Sequence, residues 1–360
     1  MSRPWFVAGL ILLLCAAYLA LAPSPIDAVA WQPTPSPGLV GPFAANDALA
    51  SIRLIPVPDG HGPESITAGP DGWLYTGLKG GRILRFRPDG SAMEDFADTG
   101  GRANGMSFDA AGRLVVADSY RGLLAIDPRG GVTSLAEGAD GQPFVFNDGV
   151  DVAADGSIWF TDATSRFPDG EFHLEVLEGS ATGRVLTHDP QTGETRTRLD
   201  GLRFPNGLTL GPGDAYVLIN EMLAYRTLRH WIRGPKAGTT EVFAGDYPGM
   251  PDDIQFNGKD LFWIAFASDR IALADWVQPY PRLKTLIAKV IGDLFPDTDT
   301  RWIGSSAFVV ALDLDGRVVR NLQDRNRRFV TSTGVFEHQG KLYLGSVAMD
   351  AVGVIPVPRS

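Results

Sequence analysis

One pattern recurs six times along the chain and limits its fold more than any other feature. It is a short polar loop, a strand-length segment, a turn built on Asp-Gly or a relative, and a strongly apolar strand-length segment. The copies are GPESITAGPDGWLYTG from Gly62, RANGMSFDAAGRLVVAD from Arg102, FNDGVDVAADGSIWFTD from Phe146, FPNGLTLGPGDAYVLIN from Phe204, MPDDIQFNGKDLFWIAF from Met250 and STGVFEHQGKLYLGSV from Ser332. Further strand-turn-strand segments lie between copies, such as GRILRFRPDG and GLLAIDPRGG. Each unit thus holds material for about four antiparallel strands, one blade of a propeller. The sequence predicts an all-β, six-bladed β-propeller, and Ser51–Val57 (SIRLIPV) is expected to add a strand to the last blade and close the ring. A β-sandwich with a coincidental repeat is disfavoured because the order of loop, strand, turn and strand is so regular.

The first 47 residues fall outside the repeat. Trp5–Ala22 is an uncharged apolar run, and as a helix it would cover about 27 Å, close to the hydrocarbon thickness of a bilayer. Residues 1–22 are therefore expected to be a transmembrane anchor or, since Ala20-Leu21-Ala22 and Ala28-Val29-Ala30 resemble cleavage sites, a signal sequence. Arg3 would keep the N-terminus cytoplasmic and the bulk of the chain extracytoplasmic; cleavage would instead leave a secreted or periplasmic protein. Residues 23–47 are proline-rich and read as a semi-extended stalk, and 48–360 as the propeller. Cys15 is the only cysteine, so neither an intrachain disulfide nor a thiolate zinc site can form. A formal net charge of -10 without a basic face argues against a nucleic-acid partner and for small neutral or cationic ligands.

The position just ahead of the first strand of each unit is polar in most copies: Glu64, Asn104, Asn147, Asn206, and Asp252 with Asp253. In a propeller the innermost strands start around the central channel, so these loops can converge from separate blades. A ring of carboxylate and amide oxygens suits a hard cation such as Ca²⁺ or another divalent ion. The ligand set expected is Glu64, Asn147, Asn206, Asp252 and Asp253. Asn104 and Asp148 are candidate substrate contacts. The bland alternative is that Asn-Gly and Asn-Asp pairs merely form turns, an even contest for Asn104 alone. The ion, if held, either catalyses or ties blades together.

Two units carry insertions, Thr164–Arg184 and Ser268–Ser306. The second holds apolar residues at helical spacing from Leu283 to Phe295 and reads as a lid, as packing, or as an element resting on a bilayer. Of five histidines, His173, in the first insertion, is the one retained as a substrate contact or an acid or base at the channel mouth. Neither a nucleophile elbow nor a phosphate-cradling loop is present.

The runs EVLEGSATGRVLTHDPQTGETRTRLDGLRFPNGLTL and YRTLRHWIRGPKAGTTEVFAGDYPGMPDDIQFNGKDLFWIAF, with NDGVDVAADGSIWFTD, closely resemble the strictosidine synthase-like family. Within it, the chain resembles the membrane-anchored branch typified by adipocyte plasma membrane-associated protein. More distantly the chain is similar to gluconolactonase, senescence marker protein and paraoxonase propellers. The resemblance implies a divalent ion held by Glu64, Asn147, Asn206 and Asp252, with Asp252 also acting as a base. Asp253 stands where many relatives carry asparagine. The resemblance would place the glutamate of true synthases at Thr333, which cannot act as a carboxylate base. It therefore implies hydrolysis of esters or lactones by a membrane-anchored enzyme, with a non-catalytic propeller that binds a partner or lipid as the alternative.

Overall fold

A computed structural model describes residues 3–291 and 306–358. The chain divides into two compact units. The larger, residues 34–169, 181–270 and 300–360, is a β-propeller of six four-stranded antiparallel blades. From the inside outward, blade 1 runs Ile66–Ala68, Leu74–Gly77, Arg82–Phe86 and Met93–Asp98. The inner strands of blades 2 to 6 are Ala103–Phe108, Asn147–Val152, Pro205–Leu210, Gly249–Phe256 and Ser332–His338. The last blade is completed by the first strand of the chain: Arg53–Pro56 pairs with Ala351–Val354 in antiparallel register. This is the closure expected from SIRLIPV, and it removes the open edge that a six-blade array would otherwise leave.

Strong apolar second strands make this arrangement stable. The two faces of each blade pack on its neighbours, so the core is divided among the blade interfaces. Tyr75 meets Met106 between blades 1 and 2, Val115 meets Phe160 between 2 and 3, and Trp159 meets Val217 between 3 and 4. Tyr216 and Phe262 join blades 4 and 5, Trp263 and Val335 blades 5 and 6, and Tyr343 and Leu74 blades 6 and 1. Both faces of a second strand are therefore buried, which explains runs such as Leu114–Asp118 and Ile158–Asp162, buried at every position.

The proline-rich segment is less free than a stalk. It has no helix or strand apart from a 3-10 turn at Gly41–Phe43, but its Phe43 ring packs edge-on against Tyr247 and Phe308 of the propeller. The smaller unit comprises residues 1–33, 170–180 and 271–299. Its helices are α1 (Arg3–Leu21), α2 (Phe172–Glu178), α3 (Ala272–Val277) and α4 (Pro281–Ile291). Among the described residues no helix is long and apolar enough to cross a membrane. The transmembrane reading of Trp5–Ala22 thus rests on sequence alone. The helix expected through Phe295 is seen as α4 up to Ile291, and the remainder lies outside the described residues.

Candidate metal and catalytic centre

Five of the six inner strands break register near their start. The shift lies between Ala103 and Gly105, Asn147 and Val150, Pro205 and Leu208, Pro251 and Ile254, and Ser332 and Val335. An extra residue of this kind bends the strand and re-aims its side chains. The Asn-Asp-Gly and Asn-Gly pairs therefore belong to bulges within inner strands, not to hairpin turns. Their glycines allow neighbouring bulges to approach. A Cβ on Gly105 would lie 2.2 Å from the carbonyl oxygen of Asp148, and one on Gly149 2.7 Å from that of Asn206.

Side chains of adjoining strands brace the bulged backbone. Thr161 Oγ1 donates to the Asn206 carbonyl at 2.8 Å and accepts from Gly149 N–H at 2.8 Å. Asn220 Nδ2 donates to the Asp252 carbonyl at 2.8 Å. Carboxylates ending the second strands hold the incoming loops: Asp118 accepts from Arg102 N–H, Asp162 from Val145 and Phe146 N–H, and Glu221 from Arg203 N–H.

From this scaffold Glu64, Asp148 and Asp252 converge, with carboxylate oxygens within 4.8 Å of one another. Three blades contribute one each. Burial raises all three carboxyl pKa values, and repulsion from Glu64 adds to it for Asp148 and Asp252, which lie well above the ordinary carboxylate range. For Glu64 the Arg102 guanidinium opposes the rise. Beside this charge problem stands a hydrogen-bonding one. Asn147 is 0 % exposed, and its Oδ1 and Nδ2 lack hydrogen-bond partners, as does the buried Oδ1 of Asn206. An orphaned buried polar atom costs about 1–3 kcal/mol. The three crowded carboxylates are oxygen donors of the kind a hard divalent cation satisfies, and the unpaired amide oxygens of Asn147 and Asn206, on two of the inner strands, are donors of the same chemistry.

Arg102, which the repeat pattern does not single out, supplies the positive charge here. Its Nη2 meets Glu64 Oε2 at 3.0 Å, its Nη1 meets Asp169 Oδ2 at 3.1 Å, and its Nε donates to Asn104 Oδ1 at 3.0 Å. Asn104 Nδ2 in turn donates to Ser119 Oγ at 2.6 Å and to the Asn147 carbonyl at 3.1 Å. Both ends of the Asn104 amide are thus engaged by protein, so this residue orients Arg102 instead of presenting a free amide to a substrate. The sequence signal that could have found Arg102 is its spacing, two residues ahead of Asn104.

Asp253 stands outside the three-carboxylate group. It accepts from Ile254 N–H at 2.9 Å and lines an axial cavity of about 190 Å³ with Ser107, Asp151 and Thr209. Burial pushes its carboxyl up to about 7. Asp148, expected as a substrate contact, is instead a member of the group. Thr333 is buried on the inner strand of blade 6, and its Oγ1 has no hydrogen-bond partner. His173 is carried by the smaller unit on α2, and burial lowers its imidazole pKa.

Comparison with known proteins agrees with the sequence resemblance. The N-terminal model of strictosidine synthase-like proteins matches residues 41–86, and the strictosidine synthase model matches 148–235. Protein STRICTOSIDINE SYNTHASE-LIKE 3 of Arabidopsis thaliana is 34 % identical over 326 residues, covering 83 % of both chains. Adipocyte plasma membrane-associated protein of Bos taurus is 30 % identical over 349 residues, covering 91 % of this chain and 84 % of its own. Two solved structures share the fold. A gluconolactonase from Xanthomonas campestris superposes with TM-score 0.62 at 19 % identity, over 94 % of this chain and 99 % of its own. A calcium-binding regucalcin from Agrobacterium tumefaciens superposes with TM-score 0.58 at 12 % identity, over 85 % and 93 %. With six closed blades, polar bulges around their axis and these relatives spanning most of its length, the chain belongs to the strictosidine synthase-like family.

Proposed function

We propose that this protein is a divalent-cation-dependent hydrolase of esters or lactones, with Ca²⁺ the expected ion, held at a membrane by α1. The observation that carries the reading is the convergence of Glu64, Asp148 and Asp252, and with it the buried, unpaired amide oxygens of Asn147 and Asn206 on the inner strands. Glu64, Asp148, Asp252, Asn147 and Asn206 would hold the ion. When bound, a divalent ion supplies positive charge that polarises a carbonyl and lowers the pKa of water.

The chain's own groups have separate tasks. Asp252, fixed through its carbonyl by Asn220, is the base that takes the proton of the attacking water. Arg102, gripped at Nε, Nη1 and Nη2, holds a fixed positive charge near the developing oxyanion. The hydroxyl of Thr333 cannot serve as a carboxylate base, which argues against amine–aldehyde condensation. The apolar helix α1 would bury in the bilayer with its N-terminal end on the cytoplasmic side.

Asp252→Asn tests the assignment: hydrolysis of phenyl acetate should fall by at least about 10²-fold, the scale of a lost general base, with circular dichroism unchanged. Turnover retained within a few fold would remove Asp252 from the mechanism. A second reading, a non-catalytic propeller with a structural ion, draws on the three carboxylates coming from three blades. Ca²⁺-dependent stability without any turnover would favour it.

A further inference from the structure

The smaller unit buries a lysine among its helices and leaves large apolar side chains exposed. Lys284 of α4 is 0 % exposed, and its ammonium donates to the Val29 carbonyl at 2.6 Å, the Glu178 carbonyl at 3.0 Å and Gln278 Oε1 at 3.0 Å. Buried Gln278 donates to the carbonyls of Val176 and Ala274 and accepts from Trp31 Nε1 at 2.8 Å. A charged, hydrogen-bonded interior therefore ties the segment before the propeller, α2, α3 and α4 together. Val277 and Ala288 are buried as well, but several large apolar residues of α3 and α4 point the other way. Leu273 is 66 % and Trp276 58 % exposed, with Tyr280 beside Trp276 at 5.6 Å between ring centroids. On α4, Leu286 and Val290 are exposed one turn apart, with the charged Arg282 one turn before them on the same side.

A water-facing helix puts its large apolar residues inward; α3 and α4 bury Val277 and Ala288 but turn Leu273, Trp276, Leu286 and Val290 outward, which marks the outer face as one that is covered. The occupant is indicated by α1. Among its described residues the large exposed side chains are Trp5, Phe6, Val7, Leu10, Ile11, Leu13, Tyr18 and Leu21, whose polar atoms are confined to Trp5 and Tyr18, near the two ends. A helix apolar on every side is suited by a solvent of hydrocarbon more readily than by one protein face. Moreover, α4 is fastened to the C-terminal turn of α1, where Tyr18 Oη donates to the Lys289 carbonyl at 3.0 Å and Lys289 Nζ donates to the Leu19 carbonyl at 3.0 Å. The apolar face of α3 and α4 is thereby joined to the end of α1, and Trp and Tyr are the residues that favour the headgroup level of a bilayer.

We propose that the exposed face of α3 and α4, centred on Leu273, Trp276, Tyr280, Leu286 and Val290, is a second lipid-binding surface that lies in the interfacial layer of a phospholipid bilayer. It rests on the attachment of α1 to a membrane and is independent of the hydrolase assignment. The test uses the full chain reconstituted with phosphatidylcholine vesicles containing doxyl-labelled lipid. In a Cys15→Ser background, Leu273→Cys and Leu286→Cys each carry an environment-sensitive fluorophore, and exposed Asp315→Cys on the propeller is the control. The expected result is a blue shift and loss of emission at 273 and 286, strongest with shallow doxyl groups, and neither at 315. Emission at 273 and 286 that follows the control overturns the proposal. So does a blue shift without vesicles that doxyl lipid does not quench, which would mean that a second copy of the chain covers this face. A fluorophore on native Cys15 separates the two claims: quenching there alone leaves α1 in lipid and removes only the α3–α4 surface, whereas no quenching there removes the attachment by α1.

Discussion

Replacing Asn147 by leucine should act in opposite directions on the cation-free and cation-loaded protein. Leucine has nearly the shape of asparagine, and the site is fully buried. In the cation-free chain Asn147 carries two polar atoms without partners, Oδ1 and Nδ2. Each such atom costs about 1–3 kcal/mol, so removing both should leave the chelated protein unchanged or stabilise it by about 1–3 kcal/mol after some repacking loss. The transition temperature should then hold or rise by a few degrees. The loaded wild-type protein gains about 2.7 kcal/mol at a Ca²⁺ concentration one hundred times the dissociation constant, and the variant should lose most of that gain. The assay is a thermal melt of both proteins in excess chelator and in a Ca²⁺ series. The two should exchange rank: variant at or above wild type when chelated, below it when loaded. A variant destabilised equally in both conditions would refute the reasoning, since Asn147 would then be holding the bulge and not a cation.

The raised carboxyl pKa values set a pH dependence. Folded Asp148 and Asp252 bind protons more tightly than in the unfolded chain, so the chelated protein is favoured below the ordinary carboxylate range and loses that contribution as pH rises toward the folded values. Ca²⁺ favours the ionised forms, so the difference in melting temperature between loaded and chelated protein should widen from pH 5 to pH 8; a constant difference would exclude these carboxylates as ligands. Arg102→Met strands Glu64 and Asp169 and should cost about 3–5 kcal/mol in chelator, as loss of one partner of a buried ion pair does. Added Ca²⁺ should recover part of that cost, and denaturant titrations with and without the ion would show whether it does. Gly149→Ala forces a methyl group to 2.7 Å from the Asn206 carbonyl oxygen. It should cost about 1–3 kcal/mol and weaken Ca²⁺ binding by calorimetry, whereas Gly156→Ala, at an open turn, should leave binding unchanged.

The architecture was legible because propeller repeats write themselves into sequence. Turns built on Asp-Gly or a relative and strongly apolar second strands such as Ile158–Asp162 recur from blade to blade, and Arg53–Pro56, ahead of the first copy, closes the ring as expected. The inward convergence of Glu64 and Asp252 followed from equivalent placement in separate repeats. What the repeat could not convey is side-chain direction after a bulge. The register break between Asn147 and Val150 brings Asp148 into the acidic group, while Asp253, next to Asp252 on a bulged strand, faces the axial cavity. Asp169 was invisible for another reason: it lies between repeats and reaches Arg102 across 67 positions of sequence. The smaller unit was read least well, since a lysine at helical spacing such as Lys284 looks solvent-facing until its three acceptors are seen.

The most direct test of the account is hydrolysis of phenyl acetate and a panel of lactones by the purified full chain, measured as prepared, after chelation, and after Ca²⁺ is restored. Turnover should vanish with chelation and return with the ion. Turnover that survives chelation undiminished, or none in the Ca²⁺-loaded protein against every ester and lactone, would contradict it.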